Sequence, residues 1–316
     1  MPVGPQEQQL LELLAGAAQE PGTPIELAPL REGYEGLAAM LPPGPDVGVE
    51  DLRVEGPTGP VGTRVYTPRD RDPLGVLVYL HGGGWTIGSL DTHDHPCRTL
   101  CDAAGVVVVS VDYRLAPENP YPAALDDARA VLEWVAAERG RWGADSMPIG
   151  VGGDSGGGNL AAVLALMARD EGGPDLAFQL LVYPVVDLRT EADDRYPSRR
   201  ENGSGYVLTL DHMLFFVGNY RPDPTLAEDW HLSPILAASH RDLPPALVIT
   251  AGYDPLRDEG AAYAAALEDA GVSVTHSSYP DTVHTMYQLA PFLDAGAQAL
   301  DESAAALRAA FSAPDR

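Results

Sequence analysis

Residues 150–159 read GVGGDSGGGN, and they set Ser155 between glycines directly after a short apolar run. Flanking glycines leave no Cβ to clash where a chain reverses sharply. A hydroxyl held on such a turn at the start of a helix can serve as a nucleophile, because the helix N-terminus favours developing negative charge. Upstream, His81-Gly82-Gly83-Gly84-Trp85 follows another apolar run. Here the backbone N–H groups of Gly83 and Gly84, with that of Gly156, could converge on an acyl oxygen. One donor of this kind is worth about 2.7–4 kcal/mol to a transition state. A phosphate-binding loop would need a lysine or a G-x-G-x-x-G string, and neither is present. Downstream come Asp254 in GYDPLRDEG and His284 in YPDTVHTMY. In the order serine, acid, histidine, His284 would take the proton of Ser155 and Asp254 would hold its tautomer. Asp254 also suits the N-cap of a helix starting near Pro255. Asp258 and Asp281 are spare acids that follow no strand directly.

The elements around these residues decide how they can meet. Val49 to Gly56 and Val61 to Pro68 alternate in polarity and predict a hairpin around PTGP. Leu74 to Leu80 and Val106 to Val111 are unbroken apolar runs, the signature of strands buried on both faces. Ile149 to Gly153, Leu176 to Tyr183, Ala246 to Ala251 and Val272 to Tyr279 are further strands. Helical periodicity covers Pro122 to Arg139, Asn159 to Arg169, Glu259 to Ala270 and Ala290 to Phe311. Strands alternating with helices predict an α/β fold, a mostly parallel eight-stranded sheet with helices on both faces. Ser155, Asp254 and His284 then fall at one edge of the sheet, the C-terminal ends of its strands.

GDSGG is also the string around the serine of trypsin-like proteases. That reading needs an all-β, usually secreted and disulfide-bonded chain, and a following proline. Here Gly158 and Asn159 follow, the elements alternate, and there are only two cysteines in 316 residues. The charge of -26, with 46 acidic against 20 basic side chains and no lysine, disfavours a nucleic-acid face or an anionic membrane surface. The N-terminus shows no signal peptide and no membrane span, so a cytoplasmic protein is expected.

HGGGW, then DYRLAPE (Asp112 to Glu118), GDSGGGNLA and DPLRDEG together resemble the hormone-sensitive-lipase-like family of α/β-hydrolases, which includes bacterial carboxylesterases. The resemblance runs from about Val49 to the C-terminus. It implies the α/β-hydrolase fold and a carboxylesterase working through an acyl-enzyme on short to medium acyl chains, without a cofactor. It also implies a triad of Ser155, Asp254 and His284, an oxyanion hole at Gly83, Gly84 and Gly156, and a small-molecule ester as partner. An amidase or formamidase with the same machinery is the alternative. A non-catalytic receptor of this fold would lack the histidine, and His284 is present. A monomer or a homodimer is expected.

Two segments stand outside the alternation. Residues 1–45 and an insertion at about 185–230 are expected to form a cap over the catalytic domain, residues 46–316. Trp85, Tyr206, Leu208, Phe215 and Met286 are the residues expected to line the substrate pocket. The family usually continues its histidine with Gly-Phe, whereas this chain has Thr285-Met286, and it often has alanine where Gly156 stands. Finally, His93, His95, Cys97 and Cys101 gather metal-ligand types, but without zinc spacing. The expectation there is no metal, a helix capped by His95, and two packed thiols.

Overall fold

The computed structural model describes residues 2–15, 23–189 and 195–312. Part of each predicted cap segment, residues 16–22 and 190–194, lies outside them. The apolar runs become β3 (Val76–Leu80), β4 (Val107–Asp112), β5 (Ile149–Asp154), β6 (Phe178–Val182), β7 (Ala246–Tyr253) and β8 (Val274–Val283), preceded by the hairpin β1 (Gly48–Gly56) and β2 (Gly59–Thr67). The eight strands form one sheet in the order β1-β2-β4-β3-β5-β6-β7-β8. β1, β2 and β4 pair antiparallel, and every pairing from β4 through β3 to β8 is parallel.

α1 (Pro5–Ala15) and α2 (Leu27–Ala39) precede the strands, α3 (Asp94–Ala104), α4 (Ala123–Glu138), α5 (Gly156–Asp170), α6 (Pro197–Glu201), α7 (Leu210–Tyr220) and α8 (Arg257–Asp269) run between them, and α9 (Asp294–Phe311) follows β8. Side chains alternate across a strand, so each apolar run feeds two cores. Val76, Val78, Leu80, Val107, Val109, Ile149, Val151 and Val248 join the core on the α4, α5 and α8 side. Leu77, Tyr79, Val106, Val108, Leu180 and Ile249 join the core on the α3 and α9 side. Burying a side chain of this size contributes about 1.5–3 kcal/mol, so the central strands are the firmest part of the molecule. α5, between β5 and β6, is buried from Gly156 to Met167.

Two boundaries moved in ways that matter. The helix after Ser155 starts at Gly156 rather than Asn159, so it begins directly on the turn. β8 runs on to Val283 rather than ending at Tyr279, and delivers His284 directly. Among the described residues no helix is long and apolar enough to cross a membrane.

Candidate active site

β5 carries the chain, fully buried, to Asp154, and Ser155 then turns it with φ 55° and ψ -121°. A non-glycine residue in this region carries strain of order 1–3 kcal/mol. The turn is held by the Ser155 N–H, which donates to the Val182 carbonyl at 2.9 Å, and by the Asn159 N–H, which donates to the Ser155 carbonyl at 3.0 Å. Asn159 is fixed in turn by its amide, which donates to the Val185 and Leu232 carbonyls at 3.0 and 2.8 Å. A Cβ on Gly157 would collide with the Leu80 and His81 carbonyl oxygens. Only glycine lets α5 start this close to the end of β3.

The structure brings the three residues picked from the sequence together. Asp254 is wholly buried just beyond β7, and its Oδ2 accepts from His284 Nδ1 at 2.7 Å. A carboxylate only accepts, so Nδ1 carries a proton and Nε2 faces outward. Nε2 lies 3.0 Å from Ser155 Oγ, whose hydroxyl can donate to it. Asp254 Oδ1 accepts from the Leu256 N–H at 2.8 Å, so the same carboxylate also holds the start of α8. The Tyr183 ring packs 4.5 Å from the imidazole. Asp258, the spare acid, bonds instead to Arg257 and to the Ser198 N–H.

The glycine loop after β3 faces the same point. Gly83 and Gly84 have φ 114° and 55°. A Cβ on Gly156 would lie 3.3 Å from the Gly84 nitrogen, so the loop and the start of α5 are in direct contact. Because C=O and N–H point opposite ways across a trans peptide, gripping a carbonyl aims the next N–H. The Gly82 carbonyl accepts from His81 Nδ1 at 2.8 Å, and the Gly83 carbonyl accepts from the Thr86 and Ile87 N–H groups at 3.0 Å each. Those bonds fix the two peptide planes that carry the Gly83 and Gly84 N–H groups. Burial, with His93 beside it, lowers His81 to about 3, so its ring is neutral at pH 7.

Behind the loop lies a pair that sequence reasoning missed. Asp154 Oδ2 meets His93 Nε2 at 3.2 Å, while Oδ1 accepts from the Tyr79 hydroxyl at 2.8 Å and from the Gly82 N–H at 3.1 Å. Burial alone would raise this carboxyl; His93, Tyr79 and His81 outweigh it, leaving Asp154 below its ordinary value. No spacing signal joins His93 to Asp154, because their meeting depends on the β3–β5 pairing. The capping expectation for His95 is corrected here. The N-cap residue of α3 is His93, without a side-chain cap, and His95 lies inside the helix, where its Nδ1 finds no partner. Cys97 and Cys101 are free and buried. No group of three or more His, Cys, Asp or Glu among the described residues is arranged to hold a metal ion.

The five residues expected to line the pocket fare differently. Trp85 is buried and stacks on Tyr220 of α7 at 4.3 Å. Tyr206 rests on Tyr253, and Leu208 is buried in the α4–α5 core. Met286 is wholly buried in the opposite core, among the residues of α3 and α9. Its position just after His284 in sequence suggested the pocket, but the turn at Thr285 (φ 69°) sends it inward. Phe215 is half-buried, and its neighbour Phe216 is the ring that covers Gly84, where any Cβ would strike it. From the N-terminal segment, Arg31 of α2 donates to the Thr86 carbonyl at 2.9 Å and to the Ala116 carbonyl at 3.0 Å, and pairs with both Glu118 oxygens at 2.8 Å. Tyr34 sets its ring 6.4 Å from that of His93.

This geometry agrees with the comparisons to known proteins. Residues 77–288 match the alpha/beta hydrolase fold family. The carboxylesterase NlhH of Mycobacterium tuberculosis is 47% identical over 257 residues, which cover 80% of this chain and 79% of that protein. An ethyl acetate hydrolase of Pseudomonas putida is 39% identical over 246 residues, 76% of this chain and 75% of that one. The solved esterase of Pyrobaculum calidifontis superposes with a TM-score of 0.90 at 43% identity, covering 98% of this chain and 99% of that chain. The chain belongs to the α/β-hydrolase family, in its hormone-sensitive-lipase-like branch.

Proposed function

We propose that this protein is a serine carboxylesterase in which Ser155 attacks the ester carbonyl and His284 moves the proton. The observation that carries the reading is the chain Ser155 Oγ, His284 Nε2, His284 Nδ1, Asp254 Oδ2, with steps of 3.0 and 2.7 Å, beside the glycine loop. In the first half-reaction, His284 accepts the Ser155 proton as the oxygen–carbon bond forms. Negative charge on the carbonyl oxygen is taken by the N–H groups of Gly83, Gly84 and Gly156. Collapse expels the alcohol, which leaves with the proton from His284. In the second half-reaction, water attacks the acyl-enzyme by the same route and releases the carboxylic acid. Asp254 holds the imidazole throughout.

Segments 1–45 and 185–230 act as the cap in this reading. Phe216 over Gly84 and Arg31 on the Thr86 carbonyl support it, since both tie those segments to the glycine loop. An aromatic cover this close to the carbonyl-binding point favours short to medium acyl groups, and the likeness to an ethyl acetate hydrolase supports small esters. Free, buried cysteines support a protein that works in the cytoplasm.

Hydrolysis of a p-nitrophenyl ester series, from acetate upward, tests the reading in wild type and Ser155→Ala together. Turnover should peak at short or medium chains and fall by about 10⁶-fold in the mutant. Folded wild-type protein with no turnover on any member would overturn it.

A further inference from the structure

The stretch between β6 and β7 grips the loop that carries Asp254. Asn202 donates from Nδ2 to the Gly252 carbonyl and to the Asp254 carbonyl, both at 3.1 Å. Ser198 Oγ donates to the Pro255 carbonyl at 2.8 Å and accepts from the Asp258 N–H at 3.1 Å, while its own N–H donates to Asp258 Oδ2 at 2.8 Å. Arg199 closes on Glu259 Oε2 from Nε at 2.8 Å and Nη2 at 2.5 Å, and Nη2 also reaches the Asp187 carbonyl at 2.6 Å. Glu201 pairs with Arg257 at 2.9 Å.

The loop needs such support. The pairing of β7 with β8 is irregular between Ala251 and Tyr253, so the strand loses its regular ladder just where it must present the acid. Gly252 falls at this irregularity, packed so closely on Pro280 that a Cβ would collide with its backbone. A carboxamide has two N–H bonds, one for each carbonyl, and it spans the turn from one side to the other. Asn202 is 5% exposed, so its removal takes a donor from two carbonyls that bulk water reaches poorly.

We infer that Asn202 is a positioning residue for Asp254, and that α6 belongs to the mount of the acid. This rests on the reading of Asp254 as the acid that orients His284.

The test is kinetic. Asn202→Ala and the near-isosteric Asn202→Asp, which has no donors, are each compared with wild type and with Asp254→Asn. A small displacement of a catalytic group can cost about 10²-fold. Both Asn202 variants should lose about that much kcat at nearly constant KM, and a fluorophosphonate probe should label Ser155 more slowly in proportion. Combined with Asp254→Asn, Asn202→Ala should add less than about twofold, because the acid it positions is already gone. The low-field proton resonance of a His N–H shared with a carboxylate should weaken in the single variants. Wild-type kcat in a folded Asn202 variant would overturn the inference, as would losses that multiply fully in the double variant. If Asn202→Ala does not fold, Ser198→Ala tests the same mount. Wild-type kcat in Asp254→Asn would instead remove the acid assignment itself.

Discussion

His284 with Asp254 and His93 with Asp154 are the same chemical pair in two places, one in front of Ser155 and one behind the glycine loop. In front, the far nitrogen of His284 meets a hydroxyl at 3.0 Å, and the histidine is 4% exposed. Behind, His93 is wholly buried, its other nitrogen meets the Thr92 hydroxyl at 2.9 Å, and that hydroxyl is already engaged with Ser89. The carboxylates differ as well. Asp254 spends its second oxygen on a backbone N–H that starts a helix, whereas Asp154 holds the first N–H of the glycine loop. The comparison teaches that the outer nitrogen of a His–Asp pair decides its role. In the proposed mechanism the front pair, facing the Ser155 hydroxyl, moves a proton, while the back pair, facing fixed groups, sets geometry.

The largest expected effect breaks the comparison at its acids. Asp254→Asn should lower kcat by about 10⁴-fold while the unfolding free energy changes little, because the amide fits the space but favours the wrong tautomer of His284. Asp154→Asn should do the reverse in emphasis. It leaves His93 buried without the carboxylate it meets, and urea unfolding should show a loss of about 3 kcal/mol. Turnover should fall far less than in Asp254→Asn, since the amide oxygen can still accept from Gly82. Parallel kcat and urea measurements on the two variants decide the matter. Equal kcat losses would mean that both pairs take part in proton transfer.

The front pair was legible in the sequence and the back pair was not, for a physical reason. Ser155, Asp254 and His284 each follow an apolar run, and in a parallel sheet strand ends share an edge. Motif order then supplied the roles. His93 and Asp154 are joined only by the pairing of β3 with β5, which no local pattern announces. The same limit explains the pocket residues. Phe215 and Phe216 differ by one step, about 100° on a helix, and periodicity alone did not say which face of α7 meets Gly84. Met286 follows His284 in sequence but leaves it in space at the turn of Thr285.

A third histidine sharpens the comparison with the smallest effect. His81 has no carboxylate in hydrogen-bond contact: its ring stacks on Tyr113 at 4.2 Å, donates to the Gly82 carbonyl, and faces His93 with Asp154 beyond. Burial, then His93, lower it to about 3, below its value in an unfolded chain. Below pH 6.5 the unfolded state therefore binds a proton that the folded state refuses, and stability from this group falls as pH drops. Between pH 6.5 and 5 the loss is about 2 kcal/mol, at 1.36 kcal/mol per pH unit. His95, His212, His240 and His276, also lowered by burial, lose stability in the same direction, so the wild-type slope alone is not diagnostic. Urea unfolding of wild type and His81→Gln at pH 7 and pH 5 isolates the histidine. The variant should be less stable at pH 7, where it loses the ring's packing and hydrogen bond, and should close about 2 kcal/mol of that gap at pH 5. A gap that stays constant between the two pH values would show that the folded protein takes up the His81 proton as the unfolded chain does, so that burial does not hold the ring neutral at pH 5.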